Sequence, residues 1–250
     1  MSNMKRKDII TRRKALAVSA SALGALLLPG CSKTSPPTYG SLLRMGDALT
    51  YNAQRTLLPG QSLAKEYSFG EISSFPATGT INPADSSKEY YSEEYERLKS
   101  GLFANWRLSV EGSVTNAGQY SLQDLQRFAS RTQITRHTCE EGWTAIGEWT
   151  GVPLSSVLEH AGILPGARFI NFYSYDGWED SIDMLDAFHP QTILAYGMNG
   201  KALSIPHGAP VRLRVEKQIG YKSMKYLQRI VVTEEFVDPG DTGWAWYVGI

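Results

Sequence analysis

Apolar and polar residues alternate through Trp106-Arg107-Leu108-Ser109-Val110-Glu111-Gly112, the period of two that a half-buried strand requires. Just beyond it, Ser121 with Asp124 three residues later has the form of a capping box, which predicts a helix running through Phe128. Pro153 and Leu154 open a second helix that stops near Gly162. Runs at Phe169–Tyr175, Thr192–Met198, Val211–Val215 and Arg229–Thr233 predict strands, and Asn199-Gly200 is a strong hairpin-turn signal. Ser86–Leu98 is polar and aromatic, with Glu93, Glu94 and Glu96, and reads as a short surface helix. Leu49–Thr80, rich in Gly, Pro and Ser, reads as an irregular arm laid over the domain, a kind of segment that often lines sites. No repeat or low-complexity tract interrupts this order. Short helices between strands of varied length imply an α+β domain of mixed sheets with long functional loops.

The N-terminus has a different pattern. Lys5, Arg6, Lys7, Arg12, Arg13 and Lys14 lead into the apolar stretch Ala15–Leu28, which is a signal-peptide layout and too short to span a bilayer comfortably. Thr11-Arg12-Arg13-Lys14-Ala15-Leu16 resembles a twin-arginine signal, the route for proteins exported already folded. Leu28-Pro29-Gly30-Cys31 resembles a lipobox, in which the cysteine becomes lipid-modified; the alternative is an ordinary signal followed by an incidental thiol. The expected organisation is a signal over residues 1–31, a stiff tether over 32–48 carrying Pro36 and Pro37, and one domain over 49–250 whose N-terminal arm is 49–100. The expected location is the periplasm, with a lipid anchor at Cys31 as an option.

Net charge is zero over the whole chain, but setting aside the signal's six basic residues and Asp8 leaves 19 basic against 24 acidic residues, a net of −5. That balance argues against nucleic acid or anionic lipid as a partner. Only Cys31 and Cys139 exist, so with Cys31 lipidated Cys139 has no disulfide partner in an oxidising compartment. No cysteine pattern for covalent haem or an iron–sulfur cluster is present, so any redox metal occupies a single site.

Cys139 lies in Arg131-Thr132-Gln133-Ile134-Thr135-Arg136-His137-Thr138-Cys139-Glu140-Glu141-Gly142-Trp143. Arg136 and His137 upstream would favour thiolate over thiol, which makes the sulfur a metal ligand or a nucleophile, with a buried small apolar residue as the plain alternative. Around it the chain resembles the molybdopterin-binding domain of the sulfite oxidase family, particularly its bacterial exported branch, over Trp106 to about Glu235 and the arm from Thr50. Three further blocks carry the resemblance in order: Gly147-Glu148-Trp149-Thr150-Gly151-Val152-Pro153-Leu154; His189–Lys201; and His207-Gly208-Ala209-Pro210-Val211-Arg212-Leu213, continuing through Gly220-Tyr221-Lys222-Ser223-Met224-Lys225-Tyr226-Leu227.

The resemblance implies a single sulfite-oxidase-type domain that holds molybdenum on one pterin without nucleotide. Cys139 would bind the metal beside the two dithiolene sulfurs, and Arg136 and His137 would flank it as catalytic candidates. The pterin phosphate would be gripped at Arg212, Ser223, Met224 and Lys225, the middle two through backbone amides, with His207, Ser174, Asn52 and Arg55 as additional contacts. Lys217 and Lys222 could add positive charge, or be plain surface residues. For Arg212 and His207 the plain alternatives are a strand-face arginine in water and a satisfied core histidine.

Glu140 and Glu141 depart from the small residues and arginines that sulfite-oxidising members place after the cysteine. Two carboxylates facing a low-dielectric pocket would repel a dianion; alternatively Glu140 points to solvent and Glu141 braces Arg136. A neutral sulfoxide or N-oxide, small or protein-bound, is therefore the expected substrate, with Trp143, Trp149, Tyr175 and Trp178 as an apolar wall or as core. Sulfite dehydrogenation is the alternative chemistry, and a non-catalytic binding module the alternative class. With no second redox centre, a membrane cytochrome or soluble haem protein is the expected electron partner, and a monomer is the expected state.

Overall fold

The computed structural model describes residues 62–237, together with residues 49, 53 and 56. Signal, tether, Asn52 and Arg55 lie outside the described residues. Two five-stranded sheets form the frame. The first joins β1 (Leu108–Gly112), β2 (Gly118–Tyr120), β5 (Phe169–Ser174), β6 (Glu179–Asp183) and β10 (Leu227–Thr233) in the order β2-β1-β10-β5-β6. The second joins β3 (Arg131–Thr138), β4 (Thr144–Pro153), β7 (Ile193–Met198) and β8 (Lys201–Ala202) in that order, with β9 (Arg212–Arg214) also on β7. β1 runs parallel to β10 and the other pairings are antiparallel, giving the mixed α+β architecture expected.

Local chemistry accounts for the helices. In α2 (Leu122–Arg127) the Ser121 hydroxyl accepts from the Asp124 amide while the Asp124 carboxylate accepts from the Ser121 amide, so two N-terminal donors are satisfied reciprocally. α3 (Leu154–Ala161) follows Pro153 and ends at left-handed Gly162, as the pattern predicts. Asn199 and Gly200 both have positive φ, which closes the β7–β8 hairpin. α1 (Glu93–Ser100) starts later than the composition suggests, because Ser92 is its cap. Nor is it only a surface helix: Tyr95 is fully buried and donates its hydroxyl to the Ala209 carbonyl.

The short strands β2 and β6 and the whole β3–β4 hairpin escape the hydrophobic pattern. β3 alternates in burial, but its inward residues are Gln133, Thr135 and His137, so an apolar period is absent from its sequence. β4 pairs with it along its whole length and turns Ala145, Gly147, Trp149 and Gly151 inward. This hairpin carries Cys139 at its tip. Among the described residues no helix is long and apolar enough to cross a membrane.

Candidate functional site

The tip of the β3–β4 hairpin is a tight turn: the Gly142 amide donates to the Cys139 carbonyl at 3.1 Å, and the Cys139 amide to the Trp143 carbonyl at 2.9 Å. Gly142, at φ +90°, takes a backbone conformation that L side chains rarely adopt. The turn directs Cys139 into a cavity of about 400 Å³, whose walls come from four separate segments: Phe75–Thr80, His137–Trp143, Pro206–Arg212 and Gly220–Lys225. Tyr90, Asp176 and Trp178 complete the lining.

The thiol is 6 % exposed and donates to the Glu140 carboxylate at 3.5 Å. Burial raises its pKa and the Glu140 charge adds to that, against a lowering by the Glu141 backbone amide. The expected electropositive setting is therefore not what the protein alone provides. Arg136 explains the difference: one residue before His137 on a strand, it projects from the opposite face, exposed, with its guanidinium 5.3 Å from the Tyr67 ring centre. The structure does not bring Arg136 to the cavity. Glu140 lines it, and Glu141 accepts from the Trp143 indole at 3.0 Å instead of bracing Arg136.

The same cavity is lined by five of the expected pterin contacts: His207, Arg212, Ser223, Met224 and Lys225. Arg212 is 5 % exposed and donates to the His207 carbonyl at 3.1 Å and the Ser223 carbonyl at 2.6 Å, while its Nε has no partner. Burial, then the neighbouring Arg214 charge, lowers the Arg212 pKa to about 9. Lys225 donates to the carbonyls of Thr78, Thr80 and Pro206 and is lowered to about 8 by burial and then by Arg212. Burial likewise lowers His207. Buried Arg212 and half-buried Lys225 hydrogen-bond only to backbone carbonyls among the described residues, and Arg212 keeps an orphaned N–H; the pair is short of an anion, and a phosphate fits that deficit. The Ser223 amide, expected to face a phosphate, donates instead to the Gly220 carbonyl at 2.9 Å.

Other expectations fare differently. Ser174 does not line the cavity; its hydroxyl lies against the Asp176 carboxylate and the Trp178 carbonyl, and so orders two residues that do. Trp143 and Trp178 form wall, whereas Trp149 and Tyr175 are core. Lys222 is neither a cavity cation nor a surface charge: it is buried on Asp180 at 2.6 Å. Sequence reasoning missed Phe75, whose ring packs 5.2 to 5.7 Å from His137, Trp143, Trp149 and His207, and Tyr221. It also missed Arg214, which is 1 % exposed and bonded to His137. The irregular arm was the one available signal for the Phe75–Thr80 wall.

The donor set fits a molybdenum pterin: one sulfur side chain, Cys139, and two cations, Arg212 and Lys225, line the same cavity. Cys139 would bind the metal together with sulfur from the pterin.

Comparison with known proteins identifies the family. Residues 97–239 match the family model described as the oxidoreductase molybdopterin binding domain. The chain is 32 % identical, over 97 % of its length and 89 % of the relative's, to YedZ1 of Azospira oryzae, named as a protein-methionine-sulfoxide reductase subunit. It is 27 % identical to the protein-methionine-sulfoxide reductase catalytic subunit MsrP of Xanthomonas axonopodis pv. citri, over 95 % of this chain and 74 % of that one. Among solved structures it resembles the sulfane dehydrogenase SoxCD of Paracoccus pantotrophus, at a TM-score of 0.50 and 25 % identity over 52 % of this chain and 39 % of that one. The chain belongs to the sulfite oxidase family of molybdopterin-binding domains and is a molybdenum-dependent oxidoreductase.

Proposed function

We propose that the chain reduces a sulfoxide or N-oxide type substrate, free or protein-bound, by two-electron oxygen-atom transfer. The observation that carries this reading is a single cavity holding the Cys139 thiol, the cations Arg212 and Lys225 and the carboxylate of Glu140. When bound, the molybdenum pterin supplies a two-electron couple that can take up an oxygen atom. Cys139 would hold the metal, and Arg212 and Lys225 would bind the pterin phosphate beside His207. That these cations share one site supports a single phosphate, hence one pterin without nucleotide. Phe75, Trp143 and Trp178 exclude water and offer an apolar wall to a neutral group. Glu140 repels dianions, which disfavours sulfite. The names of the relatives point the same way, since YedZ1 and MsrP are named for a methionine-sulfoxide reductase and as subunits, which suits an external electron donor such as a membrane cytochrome or soluble haem protein.

We further propose export to the periplasm by the twin-arginine route, with Cys31 lipidated and residues 32–48 tethering a monomeric domain of residues 49–250 to the membrane. The basic run before Ala15–Leu28 and the Leu28-Pro29-Gly30-Cys31 sequence support this.

Metal analysis of protein exported by its own signal from molybdate-fed cells tests the site, and about one molybdenum per chain is expected. Assays with methionine sulfoxide and with sulfite test the substrate. Absence of metal rejects the site, and turnover of sulfite in preference to sulfoxide rejects the substrate.

A further inference from the structure

The Arg214 Nη1 lies 2.8 Å from His137 Nδ1, and both side chains are buried. A guanidinium has five N–H donors and no acceptor, so this bond exists only if Nδ1 is the accepting nitrogen. The imidazole proton is then on Nε2. Arg214 cannot swing away, because its Nε and Nη2 donate to the two oxygens of Glu216 at 3.0 and 2.9 Å and its guanidinium lies 4.3 Å from the Trp149 ring centre. Glu216 is in turn held by the Gln133 amide at 3.2 Å, and its side chain is fully buried. The far edge of the ring abuts Gly220, where a Cβ would stand 2.7 Å from Nε2, and both residues line the cavity with Cys139. The charged groups that face the ring besides Arg214 are Arg212, on the same strand as Arg214, and Glu140 on the hairpin turn, whose Oε2 would stand 3.0 Å from that same Cβ.

We propose that Arg214 is a positioning residue: with Glu216 behind it, it fixes His137 as the Nε2–H tautomer, a permanent hydrogen-bond donor presented to the cavity next to Cys139. The ligand chemistry this selects is an oxygen acceptor or an anionic group, as on an oxo-substrate or an oxygen-rich cofactor edge. His137 then serves by holding its proton in place. The catalytic part of this inference rests on the proposed sulfoxide chemistry; the tautomer does not.

Long-range proton–nitrogen correlation NMR on the full ¹⁵N-labelled chain near neutral pH tests it, with His137→Gln assigning the signals. The expected spectrum gives an unprotonated Nδ1 and a protonated Nε2 in the wild-type chain, without reliance on any variant folding. A proton on Nδ1, or on both nitrogens, overturns the proposal. In molybdenum-loaded protein, Arg214→Met is expected to mix the tautomers and lower kcat for a sulfoxide about 100-fold at unchanged metal content, while Arg214→Lys, which keeps a donor, restores the tautomer and most of the turnover. Full turnover in Arg214→Met, or equal loss in both variants, overturns the positioning role. A wild-type chain that shows the Nε2–H tautomer but no sulfoxide turnover rejects the substrate reading and supports the positioning.

Discussion

Gly220 and His137 are packed so closely that a Cβ on the glycine would lie 2.7 Å from Nε2 and 2.9 Å from Cε1 of the ring. The ring cannot retreat, because Arg214 holds its other edge. Gly220→Ala is therefore expected to destabilise the domain by about 1–3 kcal/mol, the usual cost of overpacking, and to lower its molybdenum content. Urea denaturation with metal analysis checks this; a variant as stable and as well loaded as wild type would refute it.

Cys139 is buried at a turn, outside the apolar core clusters. Cys139→Ser should leave the circular dichroism spectrum and thermal midpoint close to wild type while abolishing turnover. Retained activity would show that the sulfur has no part in the chemistry.

Lys222 and Asp180 are 2 % and 3 % exposed and joined at 2.6 Å. Burial raises the Asp180 pKa while Lys222 opposes the shift. Lys222→Met strands a carboxylate in the interior and is expected to cost about 3–5 kcal/mol. The double variant with Asp180→Leu should recover much of that loss, and strict additivity in denaturation measurements would disprove the coupling.

Glu140 brings negative charge to the cavity next to the thiol. Glu140→Gln should lower KM for sulfite by about tenfold and leave KM for methionine sulfoxide nearly unchanged, since only the dianion feels the lost charge. Equal shifts for both substrates would remove Glu140 as a source of selectivity.

Asp124 has its pKa lowered first by the Ser121 hydroxyl and then by the Ser121 amide. A depressed folded pKa means stabilisation that is present above the ordinary aspartate value of about 4 and is lost as pH falls through the folded value. The stability difference between wild type and Asp124→Asn should accordingly shrink as pH drops below about 4. Thermal midpoints from pH 6 to 2 measure it, and a pH-independent difference would contradict the assignment.

Elements whose cause is local were legible in the sequence: the Ser121–Asp124 box, the helix between Pro153 and Gly162, and the Asn199-Gly200 turn each depend on residues a few positions apart. The β3–β4 hairpin was not, because β3 turns Gln133, Thr135 and His137 inward and its hydrophobic period vanishes. The same strand explains the error over Arg136. Neighbours in sequence lie on opposite faces of a strand, so the arginine that serves His137 is Arg214, 77 positions away. Family blocks named Arg212 and Lys225 as residues of the cavity, and the irregular arm hinted at the Phe75–Thr80 wall, whereas Tyr221 stood in a quoted block without being singled out.

The cavity walls come from stretches of chain separated by dozens of residues, from Phe75 in the arm to Lys225 near the last strand. Lys225 closes the circle by grasping the carbonyls of Thr78 and Thr80. A chain cut short before Lys225 would leave the receptacle open on the side that Arg212, Ser223 and Lys225 now close, so the pocket exists as an enclosed space only where early and late segments have folded together.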